Sequence, residues 1–387
     1  MRVLFTFVGG SGHFEPLVPI ARAAQAAGHT IAFTAEPWSV ASVEAAGFTV
    51  FGEGAGSDYV PERLPLQSLD VEREERAIRE SFARHRARKR APGVLSLCES
   101  WRPDLLVCEE MDFGGMVAAE RLGLPYASMI VLLAGGFARN ELIAEPLAEL
   151  RAEHGLPPDP DLAMLSRYLV LYPAPPSFRD PNFPLPATAH AIRPATLARA
   201  GADSGPPWLA ELDDAPTVYF TLGTVYNMES GDLFERVLKG LRDLPINLIV
   251  TVGRHIDPAE FGPQPPNVHI EQFIPQSAIL PRSDLVVSHG GSGSVIGALS
   301  QGLPSVLIPM GADQPHNAAR CVALGVAQTL DVIEATPADV RAAVTTLLDD
   351  PFYRQAAERV RDEIAALPGP EHALMLLEQL AAERRPA

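Results

Sequence analysis

Two glycine-framed histidines stand out in this sequence, each where an apolar run gives way to a helical pattern. The second-half run is His289-Gly290-Gly291-Ser292-Gly293-Ser294, directly after the apolar residues 284–288. Small residues let the backbone approach a ligand, and the unpaired amides of a helix start, reinforced by the helix dipole, stabilise phosphate oxygens. His289 and Ser294 add side-chain donors suited to a diphosphate. A tight glycine turn that binds nothing would read the same, so the run needs its neighbours. Downstream lie Gly302-Leu303-Pro304 and then Gly311-Ala312-Asp313-Gln314-Pro315-His316-Asn317-Ala318. The carboxylate of Asp313 and the amide of Gln314 together accept and donate, as a polyol requires. The alternative for either is a helix cap, with Pro315 in the first turn.

The first-half histidine is His13, in Gly10-Ser11-Gly12-His13-Phe14-Glu15-Pro16. A residue just beyond the carboxyl end of a first strand faces the crevice where open α/β sheets bind ligands. Near neutral pH an uncharged imidazole there is suited to removing a proton from a hydroxyl nucleophile. The competing reading is a helix-start histidine bonded to backbone. A partner carboxylate would fix its tautomer and stabilise the imidazolium form.

The elements that must position these groups follow from punctuation. The opening reads as strand (residues 3–8), glycine loop (9–12), helix (about 16–27), Gly28 and a second strand (30–35), a βαβ unit. Helix-closing glycines followed at once by β-rich runs recur at Gly47, Gly123, Gly302 and Gly325, the joints of parallel-sheet domains. Proline is dense between residues 173 and 207, which predicts a linker, and a second βα series starts at Thr217. Residues 72–90 are acidic first and basic later, as suits the dipole of an exposed helix. A final helix is expected at about 371–384, after Pro368-Gly369-Pro370.

A chain of 387 residues exceeds one ordinary core and suits two domains, and its 47% hydrophobic content can fill both. A net charge of −17 argues against a nucleic-acid partner. Cys98, Cys108 and Cys321 lack disulfide or zinc spacing, so a reducing cytoplasm is the expected compartment. No run approaches the length of a membrane span, and residues 3–8 are too short for a signal-peptide core.

The text HGGSGSVIGALSQGLPSVLIPMGADQPHNAARC, residues 289 to 321, resembles the family-1-like glycosyltransferases of the GT-B fold, of the actinobacterial natural-product and macrolide type. Phe273-Ile274-Pro275-Gln276 is similar to their aromatic-x-Pro-Gln segment, and Phe220-Thr221-Leu222-Gly223-Thr224 to the strand and turn that open the donor domain. The resemblance implies an α/β GT-B fold, two Rossmann-like domains with parallel sheets facing each other across a cleft. Residues 1–205 would form the acceptor domain and 206–366 the nucleotide-sugar domain, with 367–387 a helix packing back on the first. It implies that Phe273 stacks on the base, the Ile274 backbone reads its edge, Gln276 belongs to the same nucleotide site, Thr224 lies near the diphosphate, and Asp313 and Gln314 bind sugar hydroxyls. His13 falls where the family places its general base. The family's partner Asp follows the strand that here reads Asp104-Leu105-Leu106-Val107-Cys108, and this sequence has Glu109-Glu110-Met111-Asp112 instead. Glu109 occupies the matching place and is favoured, with Asp112 as the alternative.

The implied reaction is a single inverting displacement with a nucleoside diphosphate sugar as co-substrate, no metal and no cofactor. The acceptor is expected to be small and apolar, held by loops that include Phe82, Phe137, Leu142 and Ile143, with the same residues as core being the other reading. A homodimer is the candidate assembly. Many relatives that use uridine diphosphate sugars carry Glu eight residues after the motif His to bind the ribose hydroxyls; here that position is Gly297. The missing contact is worth about 1.5 to 3 kcal/mol, which favours a thymidine diphosphate sugar over a uridine one. Two rivals remain. A dinucleotide-dependent oxidoreductase would use Gly10-Ser11-Gly12 and Glu36, but Glu15 stands where a third glycine is needed. A GT-B-like helper protein without turnover would keep the nucleotide site alone.

Overall fold

A computed structural model describes residues 1–52, 62–194 and 205–383, which divide into two units. The first holds residues 1–52, 71–194 and 366–383, and the second holds 62–70 and 205–365.

In the first unit, β1 (Arg2–Thr6), β2 (Thr30–Ala35), β3 (Thr49–Gly52), β4 (Leu105–Glu109), β5 (Tyr126–Met129), β6 (Leu169–Tyr172) and β7 (Ala189–Ala191) form one sheet. Their order is β3-β2-β1-β4-β5-β6-β7, and every pairing is parallel. The strands are apolar on both faces, β4 completely buried, because helices cover both sides of such a sheet. The order reverses between β1 and β4. A doubly wound sheet opens its ligand crevice at that switch point, beyond the carboxyl ends of the two strands.

The second unit repeats this plan with β8 (Thr217–Thr221), β9 (Asn247–Thr251), β10 (Val268–Glu271), β11 (Leu285–Ser288), β12 (Ser305–Leu307) and β13 (Ala327–Thr329). The order is β10-β9-β8-β11-β12-β13, again all parallel, with the switch between β8 and β11.

Three features differ from the reading of the sequence. The first helix begins at Ser11, not near Pro16, running through Ser11–Phe14 and a tighter turn Glu15–Leu17 into Val18–Ala26. Pro16 in the first turns costs no hydrogen bond, so the helix can start before it. The proline-dense stretch is not all linker: its residues 189–191 form β7, an edge strand on β6, and residues 195–204 lie outside the described residues. The charged segment is a helix over residues 71–101 whose middle, Ala77–Arg86, has π-type turns. Three of its basic side chains meet the helix Asn140–Glu153: Arg79 pairs with Glu145, Arg84 with Glu149, and Arg88 with Glu153 at 2.7 Å.

The last helix, Pro370–Glu383, packs on Val18–Ala26 and β6 of the first unit. Leu377 is fully buried there, and Glu378 meets His29 Nε2 at 2.8 Å. Among the described residues, no helix is long and apolar enough to cross a membrane.

Candidate active site

The switch point of the first sheet brings His13 and Glu109 together. Glu109 ends β4, and His13 follows the loop after β1, its neighbour in the sheet. His13 Nδ1 lies 3.0 Å from Glu109 Oε1, with the imidazole 22% exposed and the carboxylate fully buried. Met111 N–H donates to the same Oε1 at 2.9 Å and Val8 N–H to Oε2 at 3.4 Å. A buried carboxylate needs such donors. The contact has ion-pair distance without hydrogen-bond geometry at Nδ1; a proton on Nδ1, facing the carboxylate, would leave Nε2 as the basic nitrogen.

Gly9 makes room for the ring. Its φ is +97°, and a Cβ there would stand 2.9 Å from His13 Cδ2. Gly9 N–H donates to Glu36 at 3.1 Å, and Gly9 C=O accepts from Ser39 Oγ at 2.8 Å. Glu36, the ribose acid of the oxidoreductase reading, is thus occupied with the histidine loop and with Arg86 at 3.3 Å.

Asp112 has other partners. It accepts from Gly115 N–H at 2.9 Å as the cap of helix Phe113–Leu122, and its Oδ2 lies 2.8 Å from Arg90 Nε. Glu110, which the sequence reading assigned no role, accepts from Val131 N–H at 3.0 Å. Burial pushes its carboxyl up to about 8, with Glu109 raising it further while Arg179 and His13 oppose. It is therefore largely protonated at neutral pH.

Of the apolar residues read as acceptor pocket, Phe137 and Ile143 are core. Leu142 and Phe82 are half-buried, and Phe82 lies under Arg86.

The switch point of the second sheet brings Gly223, after β8, beside His289, after β11, and the exposed Thr224 follows Gly223. A Cβ on Gly223 would stand 2.7 Å from His289 Cε1, and one on Gly291 2.6 Å from Nε2, so only glycines fit around this ring. Its Nδ1 is buried without a hydrogen-bond partner among the described residues. Burial lowers the imidazole to about 4, which keeps it neutral. The helix Ser292–Leu299 starts at Gly291 with no side chain capping it, so its first turn, Ser292, Gly293 and Ser294, presents backbone donors and positive dipole. Gly290, at φ +86°, makes the turn into it.

Ser292 Oγ donates to Asp313 Oδ2 at 2.7 Å, and Asn317 Nδ2 reaches that oxygen at 2.8 Å and Gly290 C=O at 3.0 Å. Asp313 does not cap its helix. Asn317 ties that helix to the glycine loop, and its spacing of four from Asp313 was the available signal. Gln314 is 2% exposed, and its Oε1 accepts from Met310 and Gly311 N–H at 2.8 and 3.2 Å. Its carbonyl therefore fastens the preceding turn. Phe273 is 54% exposed, with Arg254 5.7 Å from its ring centre, whereas Ile274 is buried and offers only backbone. A Cβ on Gly297 would stand 3.0 Å from Gln276 Oε1, so the Gln276 amide fills the space above that glycine.

Comparison with known proteins shows the family and the fold. Residues 22–223 match the family described as erythromycin biosynthesis protein CIII-like, N-terminal domain, and residues 235–380 match its C-terminal domain. The chain is 28% identical to the 3-alpha-mycarosylerythronolide B desosaminyl transferase of Saccharopolyspora erythraea, covering 100% of this chain and 99% of that protein. It is 30% identical to the L-demethylnoviosyl transferase of Streptomyces niveus, with 100% and 99% covered. Among solved structures, the glycosyltransferase VinC in complex with DTDP superposes with a TM-score of 0.79 at 25% identity, over 99% of this chain and 100% of that one.

Proposed function

The chain belongs to the erythromycin biosynthesis protein CIII-like family of GT-B glycosyltransferases, and on that premise we propose an inverting, metal-independent transfer from a thymidine diphosphate sugar to a small natural-product hydroxyl, with His13 as general base. The carrying observation is the His13 to Glu109 contact of 3.0 Å. His13 Nε2 takes the acceptor proton while Glu109 holds Nδ1 and stabilises the imidazolium that forms. The acceptor oxygen then attacks the anomeric carbon opposite the diphosphate, and the bond to the diphosphate breaks.

The leaving diphosphate gains negative charge, which fixed donors stabilise without reorganisation. The uncapped start of helix Ser292–Leu299, the neutral His289 and Thr224 supply them. Asp313, held by Ser292 and Asn317, receives sugar hydroxyls; Gln314 contributes with its amide nitrogen, since its oxygen is taken. Phe273 stacks on the base.

The nucleotide preference rests on Gly297, where no carboxylate reaches the ribose and Gln276 stands close instead. That VinC was solved with DTDP supports the same choice. The test has two arms. His13→Ala should lower turnover by about 100-fold or more with nucleoside diphosphate affinity intact, whereas near-normal turnover would remove His13 from the role. Calorimetric titration should show thymidine diphosphate binding the more tightly. Tighter uridine diphosphate by about tenfold, ~1.4 kcal/mol, with turnover of its glucose ester, would refute the donor assignment.

A further inference from the structure

Beside the histidine loop stands a group of side chains that the mechanism above does not use. Trp38 follows β2 in the turn Pro37–Ser39, at the same edge of the sheet as His13, and is 52% exposed. The guanidinium carbon of Arg86 lies 5.9 Å from the centre of the Trp38 ring and 4.7 Å from that of Phe82. These contacts are linked to the base through Gly9. Ser39, next in sequence to Trp38, holds the Gly9 carbonyl, and Glu36, which pairs with Arg86, holds the Gly9 amide against which the His13 ring packs.

The chemistry of the group is specific. Glu36 at 3.3 Å already answers the charge of Arg86, so the site does not require an anion. What remains is flat: an indole, a phenyl ring and a planar guanidinium, each of which gains most from another flat partner in stacked contact. A puckered saturated ring would meet such a surface at only a few atoms, forfeiting dispersion contacts that decay steeply with separation. A phenolic or fused-ring hydroxyl seated there would lie at the edge of the sheet where His13 takes its proton.

We propose that Trp38, Arg86 and Phe82 form an acceptor subsite that selects a planar aromatic ring carrying the reacting hydroxyl. This rests on the glycosyl-transfer reading above and adds the acceptor class to it.

The experiment is equilibrium titration of the full chain, in saturating thymidine diphosphate, with 2-naphthol and with 2-decalol. The two share a carbon skeleton and a hydroxyl, and only the first is flat. The wild-type protein should bind 2-naphthol tighter by about tenfold. Trp38→Ala should abolish that difference, and Trp38→Phe, which keeps a ring face, should retain most of it. Nucleotide affinity should be unchanged in both variants, and wild-type-like thermal unfolding of both should report that the first unit is folded. Equal affinity of the wild type for the two alcohols, or undiminished naphthol binding by Trp38→Ala, would overturn the subsite. Failure of the wild type to bind any nucleoside diphosphate would overturn the transfer reading itself, and the subsite with it.

Discussion

Arg90 Nε stands 2.8 Å from Asp112 Oδ2, and this pairing separates the two acids that compete in sequence for His13. Asp112 is fully buried, paired and capping a helix, while Glu109, three residues earlier, touches the imidazole. Removing the charge of Asp112 should therefore unsettle the fold, and removing that of Glu109 should unsettle the chemistry. Asp112→Asn is expected to lose about 3 kcal/mol of stability from the broken buried pair with Arg90, since Asn still caps the helix. Glu109→Gln should cut kcat by about tenfold or more through loss of imidazolium stabilisation. Parallel melts and kinetics decide it; a larger kcat loss in Asp112→Asn than in Glu109→Gln would reverse the assignment.

His289 sets an acid limit on the second unit. Its imidazole titrates at about 4 folded against 6.5 ordinarily, so below pH 6.5 the unfolded chain binds a proton that the folded one refuses. Stability should fall as pH drops from 6.5 to 4, by about 3 kcal/mol over the window. His289→Asn should flatten that slope in melts between those pH values. A variant whose slope matches wild type would show that His289 protonates freely in the fold.

Glu110 works in the opposite sense. Its carboxyl titrates at about 8 folded against 4.5 ordinarily, so the unfolded chain loses its proton first. Its contribution is greatest below pH 4.5 and declines as pH rises to 8. Glu110→Gln, which keeps an uncharged side chain of the same shape, should raise the melting temperature at pH 8 relative to wild type and leave it little changed at pH 5. Equal shifts at both pH values would mean that Glu110 is ionised throughout.

The final helix gives a packing test. Leu377 is fully buried where this helix meets the first unit, and Leu377→Ala should cost about 2 to 5 kcal/mol by lost contact and cavity. Thermal unfolding should show the loss while nucleotide affinity, assigned by the proposal to the second unit, is retained. A drop in nucleotide affinity with no loss of stability would contradict this division.

The sequence alone determined what depends on backbone and on order along the chain. A run of small residues after a strand signals an uncapped helix start by local backbone geometry, so the strand and helix around residues 289–294 were legible. The place of His13 was legible for the same reason, since a loop after the first strand of a βαβ unit ends at the sheet's crevice. The tertiary structure decided what depends on side-chain direction and on partners far along the chain. Arg90 reaches Asp112 from another helix, the Gln314 oxygen turns inward to two backbone amides, and Phe137 and Ile143 lie in the core. In sequence Asp112 stood as the alternative partner of His13, Gln314 as a sugar ligand by resemblance, and Phe137 and Ile143 as pocket or core, yet a charged, amide or aromatic side chain is equally suited to a buried partner. Which it meets is fixed by packing between elements distant in sequence, and no local pattern encodes that choice.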